Sequence, residues 1–244
     1  MTQKNPDVGA AFDAQYDSLV IDDKNPNIFK SWAENHKGII NEYLAKIDRN
    51  GAFLEAGCGT GFWCFYARSH YDIQRVIGVD VAQNIIKKLS RFNSDKITFM
   101  LDDLNNSKLP DNSFDMLISL GVVEHFKESR PMLKTLQRII KPNGYAIISV
   151  PNWLCVHPLT RVILKLTGNW NLGYEKSISP RGLARLVRSV GFTVIEYGIL
   201  PSGEMFGSFL NSLPFIGRCF KVLSYFIERR NRHFGFISYA VCSK

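Results

Sequence analysis

Five short apolar segments, separated by helical patterns, constrain the fold of this chain more than any other feature of its sequence. They are residues 52–56, 76–79, 97–101, 116–120 and 145–150. Strands that are apolar along their whole length are buried on both faces, and their alternation with helices is typical of a parallel sheet covered on each side. The sequence therefore predicts an α/β fold, and 244 residues suit one domain with added segments.

The regions between and beyond these strands carry helix and turn signals. Ser179 followed by Pro180 predicts a capped helix start, and Gly191 predicts its end. Gly144, in Lys-Pro-Asn-Gly, is predicted to adopt a positive φ in a turn before the fifth strand. Helices are predicted at 61–70, 82–92, 131–140 and 180–190, an amphipathic helical region at 27–47, and two antiparallel edge strands at 192–199 and 234–242.

A glycine-rich loop, Glu55-Ala-Gly57-Cys-Gly59-Thr-Gly61, follows the first strand. Ligands of open α/β sheets bind beyond the carboxyl ends of the strands, where glycines let the backbone approach them closely. A nicotinamide dinucleotide site requires G-x-G-x-x-G, but Phe62 occupies the third small position. The loop therefore favours S-adenosylmethionine, which has no phosphate, over a dinucleotide; a turn without a ligand is the remaining alternative.

Three acidic residues accompany this loop. Asp80 ends the second strand, where a carboxylate can accept hydrogen bonds from both ribose hydroxyls of an adenosine. Glu55 is predicted to lie at the pocket rim and to orient either the loop or the amino group of the ligand. Asp103, after the third strand, is predicted to contact the adenine, and an exposed acidic turn is its alternative.

The order of these motifs resembles the class I S-adenosylmethionine-dependent methyltransferases, within the type-11 group that includes ubiquinone-biosynthesis O-methyltransferases. The matching pieces cover residues 50–152 and extend to about 195: FLEAGCGTG, VIGVD, LPDNSFD, VVEHF, IKPNGY, SVPN, SPRGL and VGF.

This resemblance implies a Rossmann-like sheet of seven mostly parallel strands in the order 3-2-1-4-5-7-6, with helices on both faces and a cap formed by insertions. Residues 1–48 are predicted to form a helical lid and residues 49–244 the methyltransferase domain, with cap insertions at about 151–178 and 201–232. S-adenosylmethionine is the implied cofactor. The donor site is then expected to contain Tyr16, Glu55, Gly57, Gly59, Gly61, Asp80, Val81, Asp103, Leu104 and Leu120.

Glu124 and His125 follow the fourth strand, close to the expected position of the methyl group. Some relatives bind a divalent metal there through Glu-x-x-Glu-His, but this chain has Gly121 in place of the first carboxylate, so no metal is predicted. Both residues are candidate catalytic groups. His125 has an unperturbed pKa near neutrality and is a candidate general base, or else part of a structural Glu-His pair.

The acceptor is expected to bind in the cap. Trp153, Tyr174 and Glu175 are candidate substrate-binding residues for a small planar or lipid-like molecule, and ordinary cap packing is the alternative. Segment 206–230 combines apolar side chains with Arg and Lys, which predicts either peripheral membrane contact or a packing or dimer interface. The net charge of +8 is unevenly distributed, because residues 127–244 contain 17 Lys and Arg against 5 Asp and Glu, which fits an anionic partner or a solvated basic face.

The favoured function is methyl transfer to a small molecule, with O-methylation of a metabolite or lipophilic precursor expected. An RNA or protein methyltransferase is one alternative, although nucleic acid is not favoured because no RNA-binding appendage is recognisable. A donor-binding protein without catalysis is another. The N-terminus lacks an apolar signal segment and no apolar run reaches the roughly 18 residues of a spanning helix, so a cytoplasmic location is expected. Oligomeric state is not predicted.

Overall fold

A single seven-stranded sheet forms the centre of the protein in the computed structural model, which describes residues 9, 12–13, 16–17, 19, 21, 30–168, 170, 173–202, 216–231 and 233–244. The strands are β1 (Ala52–Ala56), β2 (Arg75–Asp80), β3 (Ile97–Leu101), β4 (Phe114–Leu120), β5 (Ile140–Pro151), β6 (Thr193–Leu200) and β7 (Ile237–Ser243). Their order is β3-β2-β1-β4-β5-β7-β6. Only β7 runs antiparallel to its neighbours. The predicted topology is confirmed.

Helices cover both faces of the sheet. They are α1 (Lys30–Leu44), α2 (Phe62–Tyr71), α3 (Gln83–Leu89), α4 (Arg130–Ile139), α5 (His157–Leu166), α6 (Pro180–Arg188) and α7 (Ile216–Arg230), with 3-10 turns at Ser90–Phe92 and Val123–His125. Successive residues of a strand point to opposite faces. Phe53 accordingly belongs to the core with α1, α2 and α3, and Leu54 to the core with α4 and α6.

The chain around Gly144 differs from its prediction. Strand pairing jumps from Phe114–Ile140 to Met116–Tyr145, so residues 141–144 bulge out of a longer β5. The positive φ belongs to Asn143, at 63°, and the prediction for Gly144 is wrong. A Cβ at Gly144 would lie 2.8 Å from Ile140 Cγ1 and 3.0 Å from the Phe114 oxygen. Glycine is therefore required by close backbone approach.

The capping signals of α6 are confirmed. Ser179 Oγ accepts a hydrogen bond from the Gly182 N–H at 3.1 Å, and Pro180 occupies the first helical position. Gly191 has a φ of 101°, as the predicted helix stop requires, although α6 itself ends at Arg188. This helix and β6 therefore fold as their local sequence dictates.

Parts of the predicted lid and cap, including 22–29 and 203–215, lie outside the described residues, and with them residues 206–215 of the predicted segment 206–230. The proposed division into lid, domain and cap stays a prediction. Within the described ranges, no helix is both long and apolar enough to cross a lipid bilayer.

Candidate active site

The glycine loop between β1 and α2 has a backbone that only glycine adopts without strain. Gly57, Gly59 and Gly61 have φ angles of 78°, 48° and 73°. A Cβ at Gly57 would lie 2.3 Å from Val122 Cγ2, and one at Gly59 would lie 2.9 Å from the Tyr16 hydroxyl. The loop is thus held against neighbouring elements that also border the site.

Asp80, at the end of β2, braces this loop. Its Oδ2 accepts a hydrogen bond from the Gly59 N–H at 2.8 Å, and its Oδ1 accepts from the Ala82 N–H at 2.9 Å. Burial raises the pKa of Asp80, while these backbone donors oppose the rise. The carboxylate therefore fixes the loop as well as facing the cavity, and its predicted contact with a ribose stays a prediction.

Glu55 lies beneath the loop, in the cavity wall, instead of at the predicted rim. The reason is that its Oε2 accepts a hydrogen bond from the Cys64 N–H of α2 at 3.0 Å, which draws the side chain inward. Burial raises the pKa of Glu55 to about 8, although the bonds from Cys64 lower it. In the ligand-free protein this carboxyl is therefore protonated at neutral pH.

Replacing Glu55 with Gln should flatten the dependence of stability on pH. The pKa of this group is about 8 in the folded protein and 4.5 in the unfolded chain, so the folded state binds its proton more tightly. Its contribution to stability is complete below pH 4.5 and is lost as the pH rises toward 8. Between these limits we expect the unfolding free energy of wild type to fall by at least about 1 kcal/mol more than that of Glu55→Gln. Urea titrations across this pH range measure the difference. Parallel curves of unfolding free energy against pH for the two proteins would contradict the prediction.

A cavity of about 630 Å³ opens at the carboxyl ends of β1, β2 and β4, within the size range of small-molecule sites. Its wall contains Glu175 and most of the residues predicted for donor binding and catalysis. The latter are Tyr16, Glu55, Gly57, Gly59, Asp80, Val81, Asp103, Leu104, Leu120, Glu124 and His125. The sequence-predicted residues are therefore brought together around one space.

Three predicted residues do not line this cavity. A Cβ at Gly61 would lie 2.7 Å from Phe99 Cε1, so this glycine serves packing between α2 and the sheet. Trp153 is 56% exposed and lies outside the wall. Tyr174 is also exposed, and only its backbone carbonyl reaches a site residue. For Trp153 and the Tyr174 side chain, contact with a substrate stays a prediction.

The wall near the predicted adenine is formed by a turn after β3. Asp103 Oδ1 accepts a hydrogen bond from the Asn105 N–H at 3.0 Å, and Asp102 accepts one from the Ser107 hydroxyl. These local bonds shape the turn in the way that Asp side chains commonly do. Leu104 is buried beside it and faces the cavity.

Glu124 is the least satisfied polar side chain in the cavity wall. It is 3% exposed, and its Oε2 has no hydrogen-bond partner among the described residues. Burial raises the pKa of Glu124 and nearby Glu175 raises it further, while a hydrogen bond from its own backbone N–H and the charge of Lys176 lower it. A buried carboxyl oxygen without a partner destabilises a protein, so its presence in a cavity wall indicates a ligand group that supplies the missing hydrogen bond.

His125 is held in one tautomer by the cap. Its Nδ1 lies 2.9 Å from the Tyr174 carbonyl, which can only accept, so Nδ1 carries the hydrogen and the neutral ring has its lone pair on Nε2. Burial lowers the pKa of His125, although the Tyr174 bond and Glu175 oppose this. The Lys176 N–H also donates to the Glu124 carbonyl at 3.1 Å, which pins the 123–125 turn to the cap.

Glu175 anchors a polar cluster on the cap side of the cavity. Its Oε1 accepts from His157 Nε2 at 2.7 Å and from an Arg161 guanidinium nitrogen at 3.1 Å. Burial raises the pKa of Glu175, but its bond to His157 and the charges around it outweigh this, and the net shift is downward. Arg161 was not predicted from the sequence, although its i,i+4 spacing from His157 placed both on one face of a helix. Phe236, which lines the cavity, was not predicted either.

The carboxyl groups of the described cavity wall are not balanced by basic side chains. Among the described residues that line it there is no Lys or Arg, while Glu55, Asp80, Asp102, Asp103, Glu124 and Glu175 are all present. The basic excess of the C-terminal half therefore does not reach the described wall. In the described part of the chain, no group of three or more His, Cys, Asp and Glu side chains is arranged to hold a metal ion.

Several known proteins are similar to this chain. Residues 54–148 match the model of a family described as a methyltransferase domain. Phosphoethanolamine N-methyltransferase 1 of Arabidopsis thaliana is 32% identical over 99 residues, which are 39% of this chain and 20% of that protein. A protein of Mycolicibacterium smegmatis, named a probable S-adenosylmethionine-dependent methyltransferase, is 26% identical over 164 residues, which are 67% of this chain and 60% of that protein. This chain thus spans less than two thirds of either relative.

A solved structure has the same fold. Phosphoethanolamine N-methyltransferase 2 of Haemonchus contortus, in complex with S-adenosyl-L-methionine, superposes with a TM-score of 0.63 at 16% identity. The match covers 96% of this chain and 60% of that one. At this identity the likeness concerns the fold alone.

Proposed function

This chain carries a class I S-adenosylmethionine-dependent methyltransferase domain, and we propose that the protein transfers a methyl group from this donor to the hydroxyl group of an uncharged small molecule. The proposal rests on the buried Glu124 Oε2, which no described residue hydrogen-bonds, in a side chain that lines the same cavity as the glycine loop. A hydroxyl group of an acceptor would supply the hydrogen bond that this oxygen lacks.

The described residues fit S-adenosylmethionine. Side chains at Gly57 and Gly59 would collide with Val122 and Tyr16, so the loop leaves its backbone bare toward the cavity, as close approach of a nucleoside requires. Asp80 is available to the ribose, and the acidic wall suits the positive charges of the donor. When bound, S-adenosylmethionine supplies a methyl group on an electrophilic sulfonium sulfur.

The wall also restricts the charge of the acceptor. Phosphoethanolamine, which the names of two relatives contain, carries a phosphate that calls for Arg, Lys or clustered N–H donors. The described wall has no Lys or Arg, and Arg161, on the neighbouring helix, is bound to Glu175 and Ser177. This composition favours an uncharged acceptor over an anionic one, and it supports a substrate class different from that of the named relatives.

The chain's own contribution to catalysis is to position the acceptor and accept its proton. The acceptor O–H would be shared between Glu124 Oε2, which orients it, and His125 Nε2, which takes that one proton as the oxygen becomes the nucleophile. The Tyr174 carbonyl keeps the correct His125 tautomer, and burial keeps the ring neutral near pH 7. Phe12, whose ring packs edge-on against His125 at 5.1 Å, helps to exclude water.

N-methylation of a neutral amine is a second candidate, because the relatives that match residues of this domain include N-methyltransferases. The same Glu124 oxygen would accept a hydrogen bond from an amine N–H. The identity of the methylated atom in the product separates the two candidates.

Incubation of the purified protein with methyl-labelled S-adenosylmethionine and a fractionated extract of its host tests the proposal. We expect label in a small uncharged product, with an O-methyl group identified by mass spectrometry. Label confined to RNA or protein would contradict the small-molecule proposal. Donor binding without label transfer in any fraction would indicate a non-catalytic binding protein.

Replacing His125 with Asn should lower kcat by about 30-fold, below the usual effect of a general base because the sulfonium is already electrophilic. The Asn amide can still donate to the Tyr174 carbonyl, so the cap contact is retained. In wild type, activity falls as the pH drops below 6.5 through the lowered pKa of His125, because protonation removes the base. Initial rates measured across this pH range should show that the variant lacks this fall in activity at low pH. An unchanged kcat and pH profile would assign His125 a structural role.

A further inference from the structure

The cap helix α5 has its polar face inward and its apolar face outward. His157 and Arg161, one turn apart, point to the buried Glu175. Leu159, Val162, Ile163 and Leu166, at the i, i+3, i+4 and i+7 spacing of one helix face, are all exposed, Leu166 to 84%. An ordinary surface helix of a globular protein has the opposite arrangement.

The C-terminal helix α7 repeats this inverted arrangement. Its buried face contains Ser224 and Glu228, and Glu228 accepts hydrogen bonds from the Ser202 N–H at 2.7 Å and the Phe236 N–H at 3.1 Å. Its outer surface exposes four apolar or aromatic side chains, with Val222 exposed to 70%: Val222, Leu223, Tyr225 and Phe226. Eight of the fifteen large apolar side chains exposed in the described part of the chain lie on α5 and α7.

Both helices contact Phe236. The His157 ring of α5 packs on the Phe236 ring at 5.1 Å, and the backbone of Phe236 is bound by Glu228 of α7. Phe236 itself lines the cavity wall. The two apolar faces therefore lie on helices next to the acceptor side of the site.

Basic side chains accompany both apolar faces. Arg218, Lys221, Arg229 and Arg230 are exposed on α7, and Lys165 is exposed on α5. Arg230 and Arg229 lie over the rings of Phe226 and Tyr225 at 4.1 Å and 5.5 Å, with their charged ends beside the apolar surface. The only acid on α7, Glu228, is buried and turned inward, so no acidic side chain on this helix offsets the exposed positive charge.

From this combination we infer that α5 and α7 dock the protein onto an anionic lipid bilayer. Apolar side chains flanked by Lys and Arg are the pattern of helices that lie in the membrane interface, where the apolar groups enter the acyl boundary and the cations contact anionic headgroups. Positive charge argues for this occupant over a second copy of the chain, because two such surfaces would repel one another. The inference does not depend on the proposed methyl transfer.

Vesicle co-sedimentation tests this inference with the full-length protein. We expect binding to vesicles that contain phosphatidylglycerol, weaker binding to phosphatidylcholine alone, and release by added salt. Arg218→Gln/Lys221→Gln should lower the partition coefficient by about 30-fold, since each basic residue near the surface contributes about a fivefold factor. Leu166→Ser and Val222→Ser should each lower it by about fivefold.

Matched variants separate the docking surface from general charge and from folding. Arg181→Gln/Arg185→Gln removes the same charge from exposed positions of α6 and should leave the partition coefficient within twofold. Ile195→Ser, at a 47% exposed position of β6, is the control for loss of an apolar side chain. Equal losses in the controls, or no vesicle binding at low salt, would overturn the inference. Dimerisation that Leu166→Ser and Val222→Ser abolish, without vesicle binding, would assign the surface to a second copy instead.

Discussion

Gly57→Ala should weaken binding of S-adenosylmethionine by at least about 100-fold, an effect near 3 kcal/mol. The alanine methyl group would lie 2.3 Å from Val122 Cγ2, and its φ of 78° would be in the left-handed region. The left-handed conformation alone costs a non-glycine residue about 1 to 2 kcal/mol. The overlap must then be relieved by moving the loop or Val122, and both form the cavity wall. Isothermal titration calorimetry with the donor measures the loss.

Two further variants separate the overlap from the backbone strain. Gly168→Ala places alanine at a φ of 71° with no atom within 4 Å, so it introduces strain without collision. We expect it to lower the unfolding free energy by about 1 kcal/mol and to leave donor affinity within twofold. Val122→Ala removes both Cγ atoms that the new methyl group would meet and should restore part of the affinity when combined with Gly57→Ala. Donor binding by Gly57→Ala at nearly wild-type affinity would contradict the role of the loop.

Local sequence signals account for the parts of the fold that were predicted correctly. Strands such as 52–56 and 97–101 are mostly apolar and bounded by glycine or polar turns, so their limits could be predicted to the residue. The glycine loop is held by β2, because Gly59 N–H donates to Asp80 and Gly57 N–H donates to the Val79 carbonyl. The glycine spacing and the Asp that ends the next strand indicate this unit in the sequence, whereas the contacts of the loop with Tyr16 and Val122 have no such signal.

Contacts between distant segments account for what was not predicted. His125 is oriented by the carbonyl of Tyr174, 49 positions later, so its tautomer depends on how the cap closes. The missing partner of Glu124 is a property of the finished cavity and has no sequence signal. Apolar side chains at the spacing found on α5 usually face the core, but His157 and Arg161 of this helix instead turn inward to bind the buried Glu175. The buried Glu175 carboxylate thus accounts for the inward polar face of α5.

Glu124→Gln should lower kcat/KM for the acceptor by about 100-fold, because an acceptor group left without its hydrogen-bond partner in a buried site costs roughly 1 to 3 kcal/mol. Donor affinity should change by less than about twofold, since Glu124 is proposed to contact the acceptor. At pH 8 the same variant should be more stable than wild type by about 1 kcal/mol, because it removes a buried acid whose charged form has an unpaired oxygen. Steady-state kinetics and urea unfolding measure the two effects.

Glu175→Gln is the matched control, because Glu175 is also buried but its Oε1 is bound by both His157 and Arg161. The pKa of Glu124 is raised in the folded protein, so the stability linked to it is present below pH 4.5 and lost as the pH rises. The pKa of Glu175 is lowered, so its stability is present above pH 4.5 and lost as the pH falls. The two substitutions should therefore change the slope of stability against pH in opposite directions, and Glu175→Gln should be destabilising at pH 8. A Glu124→Gln variant that loses stability as Glu175→Gln does would show that Glu124 is a structural partner, whereas higher stability with lower kcat/KM is expected only of a group kept unsatisfied for its substrate.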